Sequence, residues 1–266
     1  MTIHPTAVID PKADVHDTAI IGPYAIIGPE VSIGAATEVL PHSVITGPTI
    51  IGEKNTIGPM ATIGAPPQDL KYAGEPTRLE IGDNNIIREY VTIHRGTADG
   101  YRITKVGSHC LLMASSHVAH DCTVGDQVIM ANAASLAGHV SVGDGAVLGG
   151  FVAVHQFCRL GKACYVGGMS GITRDIPPFV LAEGTRSQTR VARINSIGLR
   201  RNGMAPKNIA MLEQAFQIIF RENFLLVDAL KKAEETLGEC PEVMEMVTFF
   251  RESKRGVVRT SNGGSS

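Results

Sequence analysis

Aliphatic side chains return at every sixth position through most of the chain. From Ile3 to Ile63 the series has eleven consecutive members, all of them Ile or Val. The same phase resumes at Ile81, shifts by one residue after Ile93, and runs from Val106 to Ile172 in twelve further members. A period of six matches neither a helix nor simple strand alternation. It predicts a parallel β-helix over residues 1–188, in which short strands joined by tight corners stack coil upon coil.

Two segments interrupt the six-residue pattern, at about residues 65–80 and 94–105. A solenoid tolerates extra residues only as loops that leave the stack of coils, and such loops commonly carry binding or catalytic groups. We therefore expect two inserted loops with a functional role. A tolerated surface insertion without a role remains the alternative.

The pattern changes after Ile172. Two prolines, Pro177 and Pro178, are predicted to end the strands. Apolar residues then recur with helical spacing in three stretches, 209–220, 224–237 and 241–250. These stretches predict a small C-terminal α-helical domain over residues 189–266, with a disordered end at 261–266.

The composition agrees with a repetitive core built from small side chains. Aromatic residues make up 5% of the chain, Trp is absent, and there are 29 glycines. No stretch approaches the roughly 18 apolar residues that a membrane helix needs, and the amino terminus lacks a basic segment before an apolar run. These features predict a cytoplasmic protein without stable membrane insertion.

The cysteines and charges refine this picture. The five cysteines form no C-x-x-C pair and are predicted to be buried free thiols; they are Cys110, Cys122, Cys158, Cys164 and Cys240. Counted as Lys and Arg minus Asp and Glu, the charge is −6 over residues 1–184 and +4 over 185–266. The basic C-terminal part can attract an acidic partner, although a merely solvated helix surface explains the charge equally well.

The densest polar cluster, at residues 115–121, contains the first candidates for catalysis. His120 is a natural general base near neutral pH, and the adjacent Asp121 can orient it. If three six-residue faces make one coil of 18 residues, His120, Gly138 and Gln156 lie on one line, about 4.8 Å apart. An unshielded N–H at Gly138 could then stabilise an oxyanion. Ordinary solvated histidines are the competing interpretation.

Five segments carry a specific resemblance. They are QDLKYAGEPT (68–77), VTIHRGT (91–97), HVAHDCTVG (117–125), LAGHVSVGD (136–144) and AVHQFC (153–158). They resemble the UDP-N-acetylglucosamine O-acyltransferases, hexapeptide-repeat enzymes whose β-helix is left-handed. The resemblance implies transfer of an R-3-hydroxyacyl chain from the phosphopantetheine of acyl carrier protein to the 3-hydroxyl of UDP-N-acetylglucosamine, the first step of lipid A biosynthesis. It also implies a homotrimer with active sites between subunits, and no cofactor, metal or nucleic acid.

The resemblance assigns roles to individual residues. His120 is the implied base, Asp121 its support, and the Gly138 N–H the oxyanion donor. The residues implied to bind sugar, nucleotide and acyl donor are Gln68, Asp69, Lys71, His117, His139, His155, Gln156, Asn195 and Arg201. Gly168 is implied to lie on the acyl-chain ruler, where a larger residue would shorten the slot.

Two departures from the family pattern leave the acceptor open. Ile197 stands where the family has a glutamate, and Asn202 where it has an arginine. An N-acyltransferase acting on a 3-amino UDP-sugar therefore remains an alternative, as do a zinc-dependent γ-class carbonic anhydrase and a non-catalytic β-helix. The expected dock for the carrier protein is the basic surface of Arg200, Arg201, Lys207 and Arg221.

Overall fold

A computed structural model describes residues 2–185 and 188–259 of the chain. These residues form 28 short strands and four α-helices. The predicted fold class, a left-handed parallel β-helix followed by a small α-helical domain, is confirmed. The disorder predicted for residues 261–266 lies outside the described residues.

The strands are two to five residues long. In chain order they are β1 Thr2–Ile3, β2 Val8–Ile9, β3 Asp14–Val15, β4 Ile20–Ile21, β5 Ile26–Ile27, β6 Val31–Ile33, β7 Glu38–Val39, β8 Val44–Ile45, β9 Thr49–Ile51, β10 Thr56–Ile57, β11 Thr62–Ala65, β12 Arg78–Ile81, β13 Ile86–Ile87, β14 Thr92–His94, β15 Ile103–Val106, β16 Leu111–Leu112, β17 His117–Val118, β18 Thr123–Val124, β19 Ile129–Met130, β20 Ser135–Leu136, β21 Ser141–Val142, β22 Val147–Leu148, β23 Ala153–Val154, β24 Arg159–Leu160, β25 Tyr165–Val166, β26 Gly171–Ile172, β27 Val180–Glu183 and β28 Arg190–Ile194.

Every third strand belongs to the same sheet, so the solenoid is a three-sided prism. The first sheet begins β1-β4-β7 and ends β25-β27-β28, the second runs from β2 to β26, and the third from β3 to β24. Outside the insertions and up to β26, strands pair with a register of 18 residues, as in His117 with Ser135 and Ser135 with Ala153. The predicted 18-residue coil is therefore correct.

Three edges join the sheets, and each edge is named here by a residue on it. The His120 edge joins the second and third sheets, between β17 and β18. The Ala163 edge joins the third and first sheets, between β24 and β25. The Gly168 edge joins the first and second sheets, between β25 and β26.

The core is a set of aliphatic columns inside the prism. In the second sheet Ile45, Ile63, Ile93, Val118 and Leu136 are successive members of one column, and each is fully buried. Burying one such side chain contributes on the order of 1.5–3 kcal/mol, so the column is a large part of the stabilisation. All five cysteines are buried free thiols, as predicted. Burial raises the pKa of Cys122 to about 12 and makes this thiol a packing group.

The two prolines that were predicted to end the strands do not end them. Pro177 and Pro178 are buried, and β27 follows them in parallel pairing with β25. The strand β28 then pairs antiparallel with β27, where a helical domain was expected to have begun. The physical reason is that the last coil would otherwise expose its interior, which this hairpin covers with apolar side chains such as Val180 and Val191.

The helical domain begins at Ser196. Its helices are α1 Ser196–Arg201, α2 Pro206–Phe216, α3 Leu226–Leu237 and α4 Pro241–Glu252, with a π-helical turn at Gln217–Arg221 after α2. Both α2 and α4 begin with a proline, which fits the first helical turn because no N–H is needed there. The three predicted helical stretches correspond to α2 with the π-helical turn, α3 and α4. No helix in the described ranges is both long and apolar enough to cross a membrane.

Candidate active site

A histidine and an aspartate form a dyad on the His120 edge. His120 Nδ1 lies 2.8 Å from Asp121 Oδ2. The side chain of His120 is 15% exposed, whereas that of Asp121 is completely buried. Asp121 has φ near +59°, a conformation that aspartate tolerates better than most residues. The dyad leaves Nε2 of His120 as the nitrogen available to a substrate.

Gly138 lies one coil beyond His120, as predicted. The His139 N–H donates to the carbonyl of His120, which fixes the two coils against each other. An ideal Cβ on Gly138 would lie 2.5 Å from His120 Cε1 and 2.7 Å from Nε2, so the imidazole occupies the space of the missing side chain. Within the described residues, no acceptor pairs with the Gly138 N–H. The glycine thus places the imidazole and a backbone donor side by side.

The second inserted loop covers Asp121. Thr97 and Tyr101 donate hydrogen bonds to the carboxylate from this loop. Burial alone would raise the pKa of Asp121, but the hydrogen bonds from His120 and Thr97 outweigh burial, and the pKa lies below its ordinary value. The carboxylate is therefore ionised near neutral pH and can hold the imidazole by a charge-assisted hydrogen bond.

His139 extends the site along the same edge. Its ring stacks on Phe157 with centroids 4.5 Å apart and meets His120 edge-on at 5.1 Å. Burial lowers the pKa of His139 and the neighbouring His120 adds to this, whereas the charges of Asp121 and Asp69 oppose it. The influence of Asp69 places the first inserted loop within electrostatic reach of this site.

His117 stands at the start of the corner that carries His120. Its Nδ1 lies 2.7 Å from the Thr92 hydroxyl, and its ring meets buried His94 edge-on with centroids 5.0 Å apart. Burial, followed by the charges of His117 and His120, lowers the pKa of His94 to about 4. Burial and His120 also lower the pKa of His117. Both rings are therefore neutral near pH 7, and Thr92 orients His117.

The structure does not bring every predicted site residue to the dyad. Gln156 lies one coil beyond Gly138 on the same edge, exposed together with His155. Asn195 caps α1 and donates to the carbonyl of Ala163, on a different edge. The remaining predicted residues lie elsewhere: Gln68 and Lys71 are exposed in the first inserted loop, Arg201 is exposed at the end of α1, and Gly168 lies on its own edge.

A cavity of about 540 Å³ opens beside the dyad. Its lining residues include Tyr101, Asp121, His139 and Phe157 and a second, charged group, namely Arg159, Asp175, Glu252, Lys254 and Arg255. The second group belongs partly to the segment after α4, which returns to the solenoid when Ser253 donates to Asp175 over 2.7 Å. The site is therefore bordered by both domains.

The ligand atoms of His120, Asp121 and His139 all lie within 4.8 Å of one another, which is close enough to hold a metal ion. However, Asp121 already accepts hydrogen bonds on both carboxylate oxygens. A carboxylate saturated by donors is better suited to orienting a base than to binding a cation. A base oriented in this way, next to a free backbone donor, is the arrangement that acyl transfer requires.

Comparison with known proteins decides the family. A family model for UDP-N-acetylglucosamine O-acyltransferase, domain 2, matches residues 175–258. The LpxA structure from Acinetobacter baumannii is 43% identical with a TM-score of 0.93, and the match covers 97% of this chain and 100% of that one. The chain belongs to the UDP-N-acetylglucosamine O-acyltransferase family. It is therefore an acyltransferase of this type, acting in lipid A biosynthesis.

Two further relatives show how widely the fold extends. The UDP-N-acetylglucosamine O-acyltransferase from Moraxella catarrhalis is 44% identical with a TM-score of 0.94, and the Arabidopsis acyltransferase is 34% identical with a TM-score of 0.84. Each match covers 97% of this chain and 100% of the relative. The acyltransferase described here thus has the family's architecture over nearly its whole length.

Sequence reasoning about this acyltransferase missed three neighbours of the dyad. Thr97 and Tyr101 hold the carboxylate, and Phe157 supports His139. Thr97 is the last residue of the VTIHRGT segment and Phe157 belongs to AVHQFC, so both stood within recognised motifs. Their contacts depend on how a loop folds back and on which side a corner residue points, and the six-residue period specifies neither.

Proposed function

We propose that this acyltransferase moves an R-3-hydroxyacyl group from acyl carrier protein to the 3-hydroxyl of UDP-N-acetylglucosamine, as the cytoplasmic first step of lipid A biosynthesis. The observation that carries the proposal is the His120–Asp121 dyad stacked one coil from Gly138. A weakly acidic sugar hydroxyl needs a base to attack a thioester, and the thioester carbonyl needs a donor as its oxygen gains charge.

In the proposed reaction the two ring nitrogens of His120 have separate roles. His120 Nε2 takes the proton of the 3-hydroxyl while the sugar oxygen bonds to the thioester carbon, and the Gly138 N–H receives the resulting oxyanion. The tetrahedral intermediate then expels the thiolate of phosphopantetheine, which recovers the proton from the His120 imidazolium. Asp121 stabilises that imidazolium through Nδ1. Base catalysis typically contributes about 10²–10⁴-fold, and one oxyanion donor about 10²–10³-fold.

The other predicted residues fit the chemistry of the substrates. Asp69 and His139 offer hydrogen-bonding groups for sugar hydroxyls near the dyad, and their electrostatic coupling supports this role. Lys71 and Arg201 are exposed cations suited to the pyrophosphate. Cations on the helical domain, namely Arg200, Arg201, Lys207 and Arg221, are all exposed and would attract the acidic carrier protein.

The distribution of these residues supports a homotrimer with active sites between subunits. Asn195 contacts the Ala163 edge, whereas the dyad lies on the His120 edge. One prism cannot bring two of its own edges together, so a neighbouring subunit has to supply the residues of α1. Leu70 in the first inserted loop is also fully exposed, as expected for a side chain that packs on a neighbour.

The outward face of the first sheet supports the same assembly. Its outward positions are largely apolar in successive coils: Ile86, Leu111, Ile129, Val147 and Tyr165. A contiguous apolar face of this kind marks a protein–protein interface. A trimer in which this face packs on a different face of the next subunit would bury it in a closed ring.

The experiment varies the chain length of the acyl donor and compares two acceptor sugars. Purified enzyme is incubated with R-3-hydroxyacyl carrier proteins of several chain lengths and with UDP-N-acetylglucosamine or its 3-amino analogue, and products are identified by mass. We expect ester formation on the 3-hydroxyl. Exclusive amide formation on the 3-amino sugar would replace the proposal with the N-acyltransferase, for which Ile197 and Asn202 are the observed departures.

His120→Ala tests the mechanism directly. We expect activity to fall by about 10³-fold, within the range for loss of a general base, while sedimentation still shows a trimer. His16→Ala is the matched control, because His16 is an exposed histidine in an N-terminal coil and should be dispensable. An active monomer, or a His120→Ala variant with near-normal turnover, contradicts the proposal.

A further inference from the structure

The second inserted loop builds a cage around the carboxylate of Asp121. The Thr97 N–H lies 3.0 Å from Oδ2, and the Thr97 hydroxyl lies 2.6 Å from the same oxygen. The Tyr101 N–H donates to Oδ1 over 2.7 Å. Together with His120 Nδ1 at 2.8 Å, these donors surround a side chain that has no exposure to solvent. Hydrogen bonds from these protein donors thus replace the hydrogen bonds to water that an exposed carboxylate would make.

Two glycines allow the loop to approach so closely. An ideal Cβ on Gly100 would lie 2.4 Å from Asp121 Cγ; one on Gly96 would lie 2.3 Å from the loop's own Ile103 N and 2.9 Å from Asp121 Oδ1. Neither glycine has a positive φ, so the missing side chain matters for space. Side chains at these positions would displace the loop and withdraw its donors. The loop therefore has a geometry adapted to this one carboxylate.

We infer that Thr97 is a positioning residue that sets the basicity of His120 by sharing Asp121 Oδ2 with it. The inference rests on the proposed function, in which His120 is the base. The Thr97 hydroxyl and His120 Nδ1 donate to the same oxygen. The hydroxyl draws negative charge from Oδ2 and leaves less of it to stabilise a proton on the imidazole.

Loss of the Thr97 hydroxyl has a predictable direction. The buried carboxylate would lose one of its donors and would bind the protonated imidazole more strongly. The pKa of His120 should therefore rise, because the charged imidazolium gains stability relative to the neutral ring. The acidic limb of kcat/KM should move to higher pH by about one unit, since the base must be unprotonated to act. At pH values below that limb, kcat/KM of the variant should be about tenfold lower than kcat/KM of the wild type.

The test compares three substitutions of Thr97 with one control. Thr97→Val is nearly isosteric and removes the donor, Thr97→Ser retains it, and Thr97→Cys supplies a weak donor that should give an intermediate shift. The Cys variant also serves if the Val variant folds poorly. Thr104→Val is the matched control, because Thr104 is a buried threonine whose hydroxyl accepts the Asp121 backbone N–H, whereas the Thr97 hydroxyl donates to the carboxylate.

Two readouts separate this inference from the proposed function. The first is the proton titration of His120 by NMR on full-length enzyme with labelled histidines, assigned with His120→Ala. The second is the pH profile of kcat/KM. Upward shifts with Val, recovery with Ser and no shift with Thr104→Val support the inference. Lower activity in Thr97→Val with an unshifted titration would overturn it, because Thr97 would then be merely structural. A shifted titration together with an active His120→Ala variant would support the coupling and refute His120 as the base.

Discussion

Gly138→Ala separates catalysis from folding. The added Cβ would lie 2.5 Å from His120 Cε1, whereas ordinary contact begins at 3.4 Å, so the ring has to withdraw by about 0.9 Å. A displacement of about 1 Å at a catalytic group can cost on the order of 10²-fold in rate, or about 2.7 kcal/mol in the activation barrier. The fold should survive, because the obstructing atoms belong to a partly exposed side chain that can swing outward.

The assay measures kcat with saturating acyl carrier protein and UDP-sugar, alongside the free energy of unfolding. We expect kcat to fall by about 100-fold, while the free energy of unfolding falls by about 1.5–3 kcal/mol, the value of one hydrogen bond to a charged group. Gly28→Ala is the matched control, since its Cβ would meet Ile45 O at an ordinary 3.4 Å. Full activity in Gly138→Ala would refute the argument that His120 needs the space that a side chain at position 138 would fill.

Three further predictions test other parts of the structure. Gly100→Ala should lower both kcat and thermal stability, because its Cβ would lie 2.4 Å from Asp121 Cγ; unchanged activity would show that the cage can relax. His94 has a folded-state pKa of about 4 against an unfolded value near 6.5, so the unfolded chain binds the proton first and stability falls as pH drops from 6.5 to 4. Over that window the free energy of unfolding, measured in urea, should fall by about 3 kcal/mol more for wild type than for His94→Leu. Parallel curves of unfolding free energy against pH for the two proteins would contradict this prediction. Gly168→Met should fold if the neighbouring coil yields slightly, since its Cβ would lie 3.2 Å from Gly150 O, about 0.2 Å inside ordinary contact. The variant should prefer shorter acyl donors by about fourfold per methylene in product analysis by mass. An unaltered chain-length profile would remove Gly168 from the ruler.

The six-residue period predicts the fold and the centre of the site because both follow from register. An aliphatic residue at every sixth position predicts stacked short strands, and the family resemblance adds three faces to each coil. The resulting 18-residue coil places Gly138 beside His120. The period also marks both insertions, since β11 ends at Ala65 and β14 at His94. No tertiary contact outside the repeat has to be known for these steps.

Register cannot predict contacts made by residues that leave the repeat. Thr97 reaches Asp121 across 24 residues because an inserted loop folds back, and nothing in its spacing specifies that path. The antiparallel strand β28, which completes a hairpin with β27, was missed for a related reason. It exists to cover the open end of the solenoid, a requirement set by the last coil's exposed interior and not by any period in the residues of the hairpin itself.

The core depends on the six-residue period itself, whereas the site depends on the full coil of 18 residues. A shift of six residues between two coils leaves the core satisfied, because another aliphatic residue arrives inside. The same shift moves every edge residue to the next edge and would place Asn132 instead of Gly138 beside His120, with a side chain where the imidazole now lies. Burial of aliphatic residues alone would therefore accept three registers, whereas the His120–Asp121 dyad lies beside Gly138 in only one of them. The specific contacts along the edge, such as the His139 N–H to the His120 carbonyl and the cage around Asp121, favour the observed register over the other two.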